Sequence, residues 1–212
     1  MSNSPTIAII DYDAGNLTSV RNAFEFVGQV AEVVRSPNQL DKYQRFVLPG
    51  VGAFGPGIAK LRTAGFVDAL NTEVLESKKP LLCICLGMQL LATTSYEHGK
   101  HTGLNWIPGE VVEIEKVELG LRVPHVGWNE VRFVREDPSL EGLGGSADFY
   151  FANSFHFIPK EKDCVVGTYH HGQELVGIIR HDNIFAVQFH PEKSHNIGLS
   201  ILRKFAAGSL SC

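Results

Sequence analysis

Residues 80–91, Pro-Leu-Leu-Cys-Ile-Cys-Leu-Gly-Met-Gln-Leu-Leu, constrain the fold of this chain more than any other stretch. An apolar run of strand length carries Cys83 and Cys85 and ends at Gly87, and after Gln89 the chain continues as an apolar run of helical character. A strand that turns sharply into a helix at a nucleophilic residue is a nucleophile elbow, which lifts that side chain out of the sheet. The N–H groups and dipole of the helix then favour a thiolate. The stretch therefore predicts a strand–helix unit that presents a reactive thiol, with two cysteines as candidates.

Short apolar runs alternate with helical patterns in the first half of the chain. Residues 6–11, 30–34 and 45–48 are predicted strands, and residues 57–77 are predicted to be helical in two pieces that divide near Gly65. This alternation favours a flavodoxin-like, doubly wound α/β fold with a mostly parallel sheet. Ligands of such sheets bind beyond the carboxyl ends of the strands. The glycine-rich loop after the third strand should therefore lie beside the thiol.

The second half of the chain has a mostly two-residue periodicity, from about residue 108 to residue 190. Residues 165–169, 175–180 and 184–189 are predicted antiparallel strands, and residues 195–207 a closing helix. We therefore expect an antiparallel β section added to the parallel sheet. We also expect one domain over residues 1–212, with residues 1–6 as a frayed tail.

Composition narrows the class of protein. The 212 residues are 44% hydrophobic, and the net charge of −4 with no Lys/Arg cluster argues against a nucleic-acid partner. No apolar run is long enough to span a membrane, and the N-terminal residues do not resemble a signal peptide. The four cysteines, at 83, 85, 164 and 212, form neither a disulfide framework nor a Cys-x-x-Cys metal motif. We expect a cytoplasmic protein with reduced thiols, no metal and no cofactor.

A catalytic thiol needs a base, and His190 has the most suggestive context of the nine histidines. It ends an apolar strand, Pro191 then restricts the backbone, and Glu192 follows two residues after the histidine. A carboxylate there can hold one imidazole nitrogen and turn the other toward a thiol, which is the nucleophile–base–orienter arrangement. A strand-end histidine beside a solvated glutamate explains the spacing equally well.

The loop Gly50-Val51-Gly52 is the second candidate element. Backbone N–H groups of Val51 or Gly52, together with that of Leu86, are suited to bind a developing oxyanion beside the elbow. Glycine-rich loops often serve only as turns. A phosphate loop is the competing interpretation, but neither of the usual glycine patterns is present.

These residues carry a family resemblance. Cys85-Leu86-Gly87-Met88-Gln89 and His190-Pro191-Glu192 resemble the motifs of the class I (triad) glutamine amidotransferases. Further motifs resemble one group within that family, and they are Asp11 to Val20, Pro49 to Phe54, Pro124 to Asn129, Phe149 to Phe151 and His190 to Ser194. That group is the HisH-type glutaminase subunits of imidazole glycerol phosphate synthase. The resemblance covers about residues 7–207, and the motifs occur in the family's order.

The resemblance implies a two-protein enzyme. The glutaminase subunit hydrolyses L-glutamine to L-glutamate and ammonia through a cysteine thioester. In a heterodimer it channels the ammonia to a HisF-type (β/α)₈-barrel cyclase, which makes imidazole glycerol phosphate and aminoimidazole carboxamide ribonucleotide in histidine biosynthesis.

The resemblance also implies a role for individual residues. Cys85 is the expected nucleophile, His190 the base and Glu192 its orienter. The remaining expectations are an oxyanion hole from Val51, Gly52 and Leu86, substrate binding by Gln89 and by the backbone of Asn153, Ser154 and Phe155, and a partner interface with Asn16, Ser19, Trp128, Tyr150 and Lys193.

This chain departs from the family pattern at several positions. Cys83 stands where the family usually has Gly, and both cysteines could point the same way from one strand; the spacing to Gly87 and Gln89 favours Cys85. Asn153 replaces a family His, and Asp13 replaces a family Gly. An ammonia donor for a different synthase, for example in amino- or amidino-sugar synthesis, is therefore an alternative. A stand-alone cysteine hydrolase and a non-catalytic binding subunit are further ones.

Overall fold

The computed structural model describes residues 7–115 and 121–208, so the predicted tail at residues 1–6 lies outside the described residues. The helices are α1 (Leu17–Phe26), α2 (Phe54–Thr63), α3 (Phe66–Leu70), α4 (Leu86–Leu90) and α5 (His195–Ala207). The strands are β1 (Ile7–Ile10), β2 (Ala31–Val34), β3 (Arg45–Gly50), β4 (Leu81–Cys85), β5 (Thr94–Ser95), β6 (His101–Thr102), β7 (Gly109–Glu113), β8 (His125–Phe133), β9 (Ser146–Asn153), β10 (Phe155–Pro159), β11 (Val165–His170), β12 (Glu174–His181) and β13 (Ile184–Val187).

A nine-stranded sheet runs through the described residues in the order β2-β1-β3-β4-β13-β12-β11-β8-β9. The pairs from β2 to β13 are parallel, and those from β13 to β9 are antiparallel. The predicted parallel sheet with an added antiparallel section is therefore confirmed. A second sheet, β10-β7-β5-β6, was not foreseen in the sequence pattern.

Helices cover both faces of the parallel strands, which explains why β1 and β4 are buried throughout. One apolar layer, the α2 layer, packs α2, α3 and α4 against the sheet and contains Phe54 and Leu61. The other, the α5 layer, packs α1 and α5 and contains Phe24 and Phe205. Strand side chains alternate between the two layers.

The predicted element boundaries need small changes. The helical stretch begins at Phe54 rather than at residue 57, and it divides at Gly65, which has φ 75°. A π-helical turn over Asn71–Glu76 completes it. The last strand ends at Val187, two residues earlier than predicted, while α5 has the predicted bounds. Among the described helices, none has the length and apolar character needed to cross a bilayer.

Candidate active site

The predicted elbow joins β4 to α4 at Cys85. Its backbone has φ 54° and ψ −111°, a conformation that a non-glycine residue adopts only under strain. Gly87 allows this turn, because a Cβ on it would lie 2.0 Å from the carbonyl oxygen of Leu48 on the neighbouring strand. The register pairs Gly50 with Cys85, so the glycine-rich loop and the thiol are adjacent as predicted.

The elbow separates the two cysteines. Cys83 is fully buried in the α2 layer, whereas Cys85 packs with the α5 layer and reaches a cavity. Burial raises the pKa of the Cys83 thiol well above its ordinary value. The two thiols therefore do not point the same way, as the side chains of residues i and i+2 in a regular strand would. The positive φ at Cys85 turns its side chain out of the alternating pattern of β4.

His190 and Glu192 form a buried pair behind Cys85. The Nδ1 atom of His190 lies 2.8 Å from Oε1 of Glu192, and their side chains are 3% and 1% exposed. Burial lowers the pKa of His190, but hydrogen bonds to Cys85 and Glu192 and the charges of both outweigh burial and raise the pKa to about 10. The ring can therefore hold a proton taken from the thiol.

The backbone of His190 is tied to β9. Its N–H donates to the carbonyl of Tyr150 (2.9 Å), and its carbonyl accepts from the hydroxyl of Ser194 (2.6 Å), which itself accepts from the N–H of Tyr150 (3.0 Å). These bonds fix the backbone of His190 against β9, so the position of the imidazole is determined by the sheet.

A cavity of about 330 Å³ lies in front of Cys85. It is lined by the predicted nucleophile, base, oxyanion and substrate residues, with one predicted interface residue at its wall: Cys85, His190, Val51, Gly52, Leu86, Gln89, Asn153, Ser154, Phe155 and Lys193. Asn16 and Ser19 are not among the lining residues; the Asn16 side chain caps α1 by accepting from the N–H of Ser19 (3.4 Å). A larger groove of about 910 Å³ follows residues 133–145 and contains none of the predicted site residues.

Two predicted donors are engaged within the protein. The N–H of Val51 donates to the carbonyl of Ala14 (3.1 Å), so in this conformation it does not serve the cavity. The Nε2 atom of Gln89 donates to the carbonyl of Phe155 (2.9 Å) and to Oε1 of Gln188 (3.0 Å). A substrate contact from either group requires these bonds to be released.

The backbone of residues 153–155 is similarly occupied. The carbonyl of Phe155 also accepts from Nδ2 of Asn153 (3.0 Å), and the carbonyl of Ser154 accepts from the N–H of Ile114 (2.8 Å). The carbonyls of Ser154 and Phe155 are therefore already hydrogen-bonded within the protein. The predicted backbone contacts to a substrate would come from the other backbone groups of residues 153–155.

Two residues of the site were missed in the sequence. Glu97 lines the cavity and caps α2, because its Oε2 accepts from the N–H of Phe54 (2.6 Å). Gln188 is fully buried, and its Nε2 lies 3.7 Å from Sγ of Cys85. A polar residue inside an apolar strand end was the available signal for Gln188. In the described ranges, no three His, Cys, Asp or Glu side chains group to hold a metal ion.

Comparisons with known proteins agree with this arrangement. The family model of glutamine amidotransferase class I matches residues 8–208. The chain is 46% identical to imidazole glycerol phosphate synthase subunit HisH 1 of Campylobacter jejuni, over 94% of this chain and 98% of that protein. It is 39% identical to subunit HisH 2 of Pseudomonas aeruginosa, again over 94% of this chain and 98% of the relative.

A solved structure shows the same fold at lower identity. PurLQS from Thermotoga maritima contains a chain that matches with a TM-score of 0.69 at 19% identity, over 97% of this chain and 97% of that chain. At this identity the likeness concerns the fold alone. Since the family model matches nearly the whole chain, this protein belongs to the class I glutamine amidotransferases, in the group of HisH subunits of imidazole glycerol phosphate synthase.

Proposed function

We propose that this chain is the glutaminase subunit of an imidazole glycerol phosphate synthase, with Cys85 as nucleophile, His190 as base and Glu192 as its orienter. The observation that carries the site assignment is the geometry of the elbow. Cys85 lines a cavity, and its thiol interacts with His190, whose other ring nitrogen is held by the buried carboxylate of Glu192. The substrate is L-glutamine, and the products are L-glutamate and ammonia.

The reaction follows from this geometry. The thiolate of Cys85 attacks the carboxamide carbon of glutamine, and N–H groups of Gly52 and Leu86 stabilise the oxyanion. Val51 joins them when its N–H leaves the carbonyl of Ala14. His190 then gives its proton to the departing ammonia, which leaves a thioester on Cys85. His190 next activates a water molecule, whose attack on the thioester releases glutamate and restores the thiol.

Substrate orientation falls to the cavity wall. Glu97 lines the cavity, and its carboxylate suits the ammonium group of glutamine. Gln89 lines the same wall and can bind the amino-acid end after its amide leaves Phe155 and Gln188.

A patch at the cavity mouth suits the partner. Val126 and Trp128 are 60% and 47% exposed. Trp128 stacks on His195, with ring centroids 4.9 Å apart, and packs edge-on against Tyr150 at 6.2 Å. The Nζ atom of Lys193 lies 5.9 Å from the Tyr150 ring centroid. We propose that this patch docks a HisF-type (β/α)₈-barrel cyclase in a heterodimer, so that ammonia passes directly to it.

Other sequence-based expectations stay predictions. They are the contributions of Asn16 and Ser19 to the interface, the single domain over residues 1–212 and the cytoplasmic location.

The test compares two cysteine variants in the complex with the cyclase. Cys85→Ala should lose glutamine hydrolysis. Cys83→Ala should keep it, with a loss of about 1 kcal/mol in unfolding free energy because a buried group of methylene size is removed. Glutamate release with the cyclase and its nucleotide substrate present measures the first effect, and urea unfolding the second. An active Cys85→Ala with an inactive Cys83→Ala would reverse the assignment.

A second function, ammonia supply to a different synthase, has its own support. Two relatives carry numerals in their names, HisH 1 and HisH 2. Asp13, a departure from the family pattern, is strongly exposed and pairs with Lys60 (3.0 Å). Stimulation of glutamine hydrolysis by the cyclase's nucleotide supports the histidine pathway, whereas a complex without stimulation favours another partner. A stand-alone hydrolase would turn over without any partner.

A further inference from the structure

Gln188 occupies a position that the proposed mechanism does not use. It follows β13 immediately, two residues before His190, and it is fully buried. Its Oε1 accepts from Nε2 of Gln89 (3.0 Å), and its Nε2 lies 3.7 Å from Sγ of Cys85. The amide therefore bridges a wall residue of the substrate cavity and the nucleophile.

The carbonyl of Phe155 fixes which groups donate and which accept in this chain of hydrogen bonds. The carbonyl of Phe155 can only accept, so the group of Gln89 that faces it must be the NH₂. That same NH₂ also faces Gln188, which must present its oxygen there. The other end of the Gln188 amide, the NH₂, consequently faces the sulfur of Cys85. If the Gln188 amide were flipped, its NH₂ group would face the NH₂ group of Gln89, and two donors would meet.

A fixed N–H donor beside sulfur has a chemical consequence. A thiolate accepts a hydrogen bond from it, whereas the amide nitrogen offers a neutral thiol no acceptor. Hydrogen bonding to the charged form of a group favours that form. The imidazole of His190 approaches the same sulfur, so the thiolate is flanked by two donors.

We propose that Gln188 is a positioning residue of the glutaminase reaction, which donates to the thiolate of Cys85 and is set in that orientation by Gln89 and the Phe155 carbonyl before substrate binds. The inference rests on the proposed function, because it assumes that Cys85 is the nucleophile. It also explains why a fully buried amide stands at the end of an otherwise apolar strand.

The test measures how the reactivity of Cys85 depends on pH. The titratable groups that interact with Cys85 are His190, Tyr12 and Tyr169, and the charged residues Glu97 and Lys193 line the same cavity. Burial raises the pKa of both phenols, which stay neutral between pH 5 and pH 9. The variant Gln188→Met keeps the length of the side chain and removes the N–H donor. The rate of alkylation by iodoacetamide is followed from pH 5 to pH 9 in the complex with the cyclase, and peptide mass spectrometry quantifies modification at Cys85.

We expect the alkylation profile of Gln188→Met to move toward higher pH, with a rate at pH 6 that is lower by about tenfold, as for one lost hydrogen bond to a charged group. The matched control is Asn183→Ala, which removes a buried amide at the opposite end of β13. It should lower stability and leave the profile in place. Gln188→Leu, of similar volume, serves if Gln188→Met shows no cooperative melting.

An unchanged profile in a folded Gln188 variant would overturn the inference, as would an equal shift in Asn183→Ala. Glutamine turnover by the unmodified complex is measured separately. If that turnover is absent while the alkylation profile still shifts, the proposed function fails and the role of Gln188 beside the thiolate stands.

Discussion

At the scale of single residues, the elbow depends on close contact between two backbones. Gly87 lies against Leu48 of β3, and Cys85 adopts φ 54° to turn the chain there. The strain at Cys85 is maintained because the fully buried neighbours on both sides leave the backbone no other path. Orientation of the thiol is thus coupled to a glycine two residues away.

Gly87→Ala should disrupt this turn. Its Cβ would lie 2.0 Å from the carbonyl oxygen of Leu48, so a backbone must shift. We expect a loss of about 1–3 kcal/mol in unfolding free energy and of about 100-fold in glutamine turnover, since a displacement of about 1 Å has that effect in a catalytic site. Urea unfolding and glutamate release measure the two effects.

Gly145→Ala is the matched control, because a Cβ there meets nothing within 4 Å and its φ is not positive. It should change stability by less than about 0.5 kcal/mol. Equal behaviour of the two variants would show that the contact at Gly87 does not matter.

At the scale of elements, one buried ion pair joins β12 to the segment after β8. Arg180 donates through Nε and Nη2 to both carboxylate oxygens of Asp137, each at 2.7 Å, and Nη2 also donates to the hydroxyl of Ser139 at 2.7 Å. Burial raises the pKa of Asp137, but its bonds to Arg180 and Ser139 outweigh burial and lower it. The Asp137 carboxylate is therefore charged in the folded protein and paired with Arg180.

Removing one partner should be costly. Arg180→Met leaves a buried carboxylate unpaired, and we expect a loss of about 3–5 kcal/mol in unfolding free energy. The control Arg132→Met breaks an exposed pair with Glu130 (3.4 Å) and should have a much smaller effect. Urea unfolding of both variants measures the difference, and similar losses would contradict the importance of burial here.

At the scale of the whole molecule, two buried histidines link stability to pH. His125 and His156 are 6% and 5% exposed. Burial, with a contribution from the charge of His171 at His125, lowers the pKa of each from 6.5 to about 4. Between these values the unfolded chain binds protons that the folded protein does not, so stability rises with pH.

The contribution of these two histidines to the unfolding free energy should therefore be complete above pH 6.5 and fall as the pH is lowered toward 4. His156→Phe should flatten this dependence, because one of the two histidines is removed. His181→Gln, at the exposed end of β12, should leave it as it is. Urea unfolding at a series of pH values checks the slope, and an unaltered slope in His156→Phe would count against this origin.

The sequence alone accounts for what depends on neighbouring residues. The alternation of strands and helices and the elbow at Cys85 follow from patterns within a few positions, because periodicity and backbone turns are local. Both the parallel sheet and its antiparallel section were predictable for this reason. The spacing of His190 and Glu192 suggested a contact between them but fitted a solvated glutamate equally well.

Only the tertiary structure decides contacts between segments distant along the chain. The Val51 N–H on the Ala14 carbonyl and the Glu97 cap on Phe54 join separate loops and elements. The Gln188 amide meets Gln89 and Cys85 from about 100 residues away in the sequence. Such hydrogen bonds produce no periodic pattern in the sequence from which they could be predicted. Each pair of groups meets only after the sheet has brought the strand ends together.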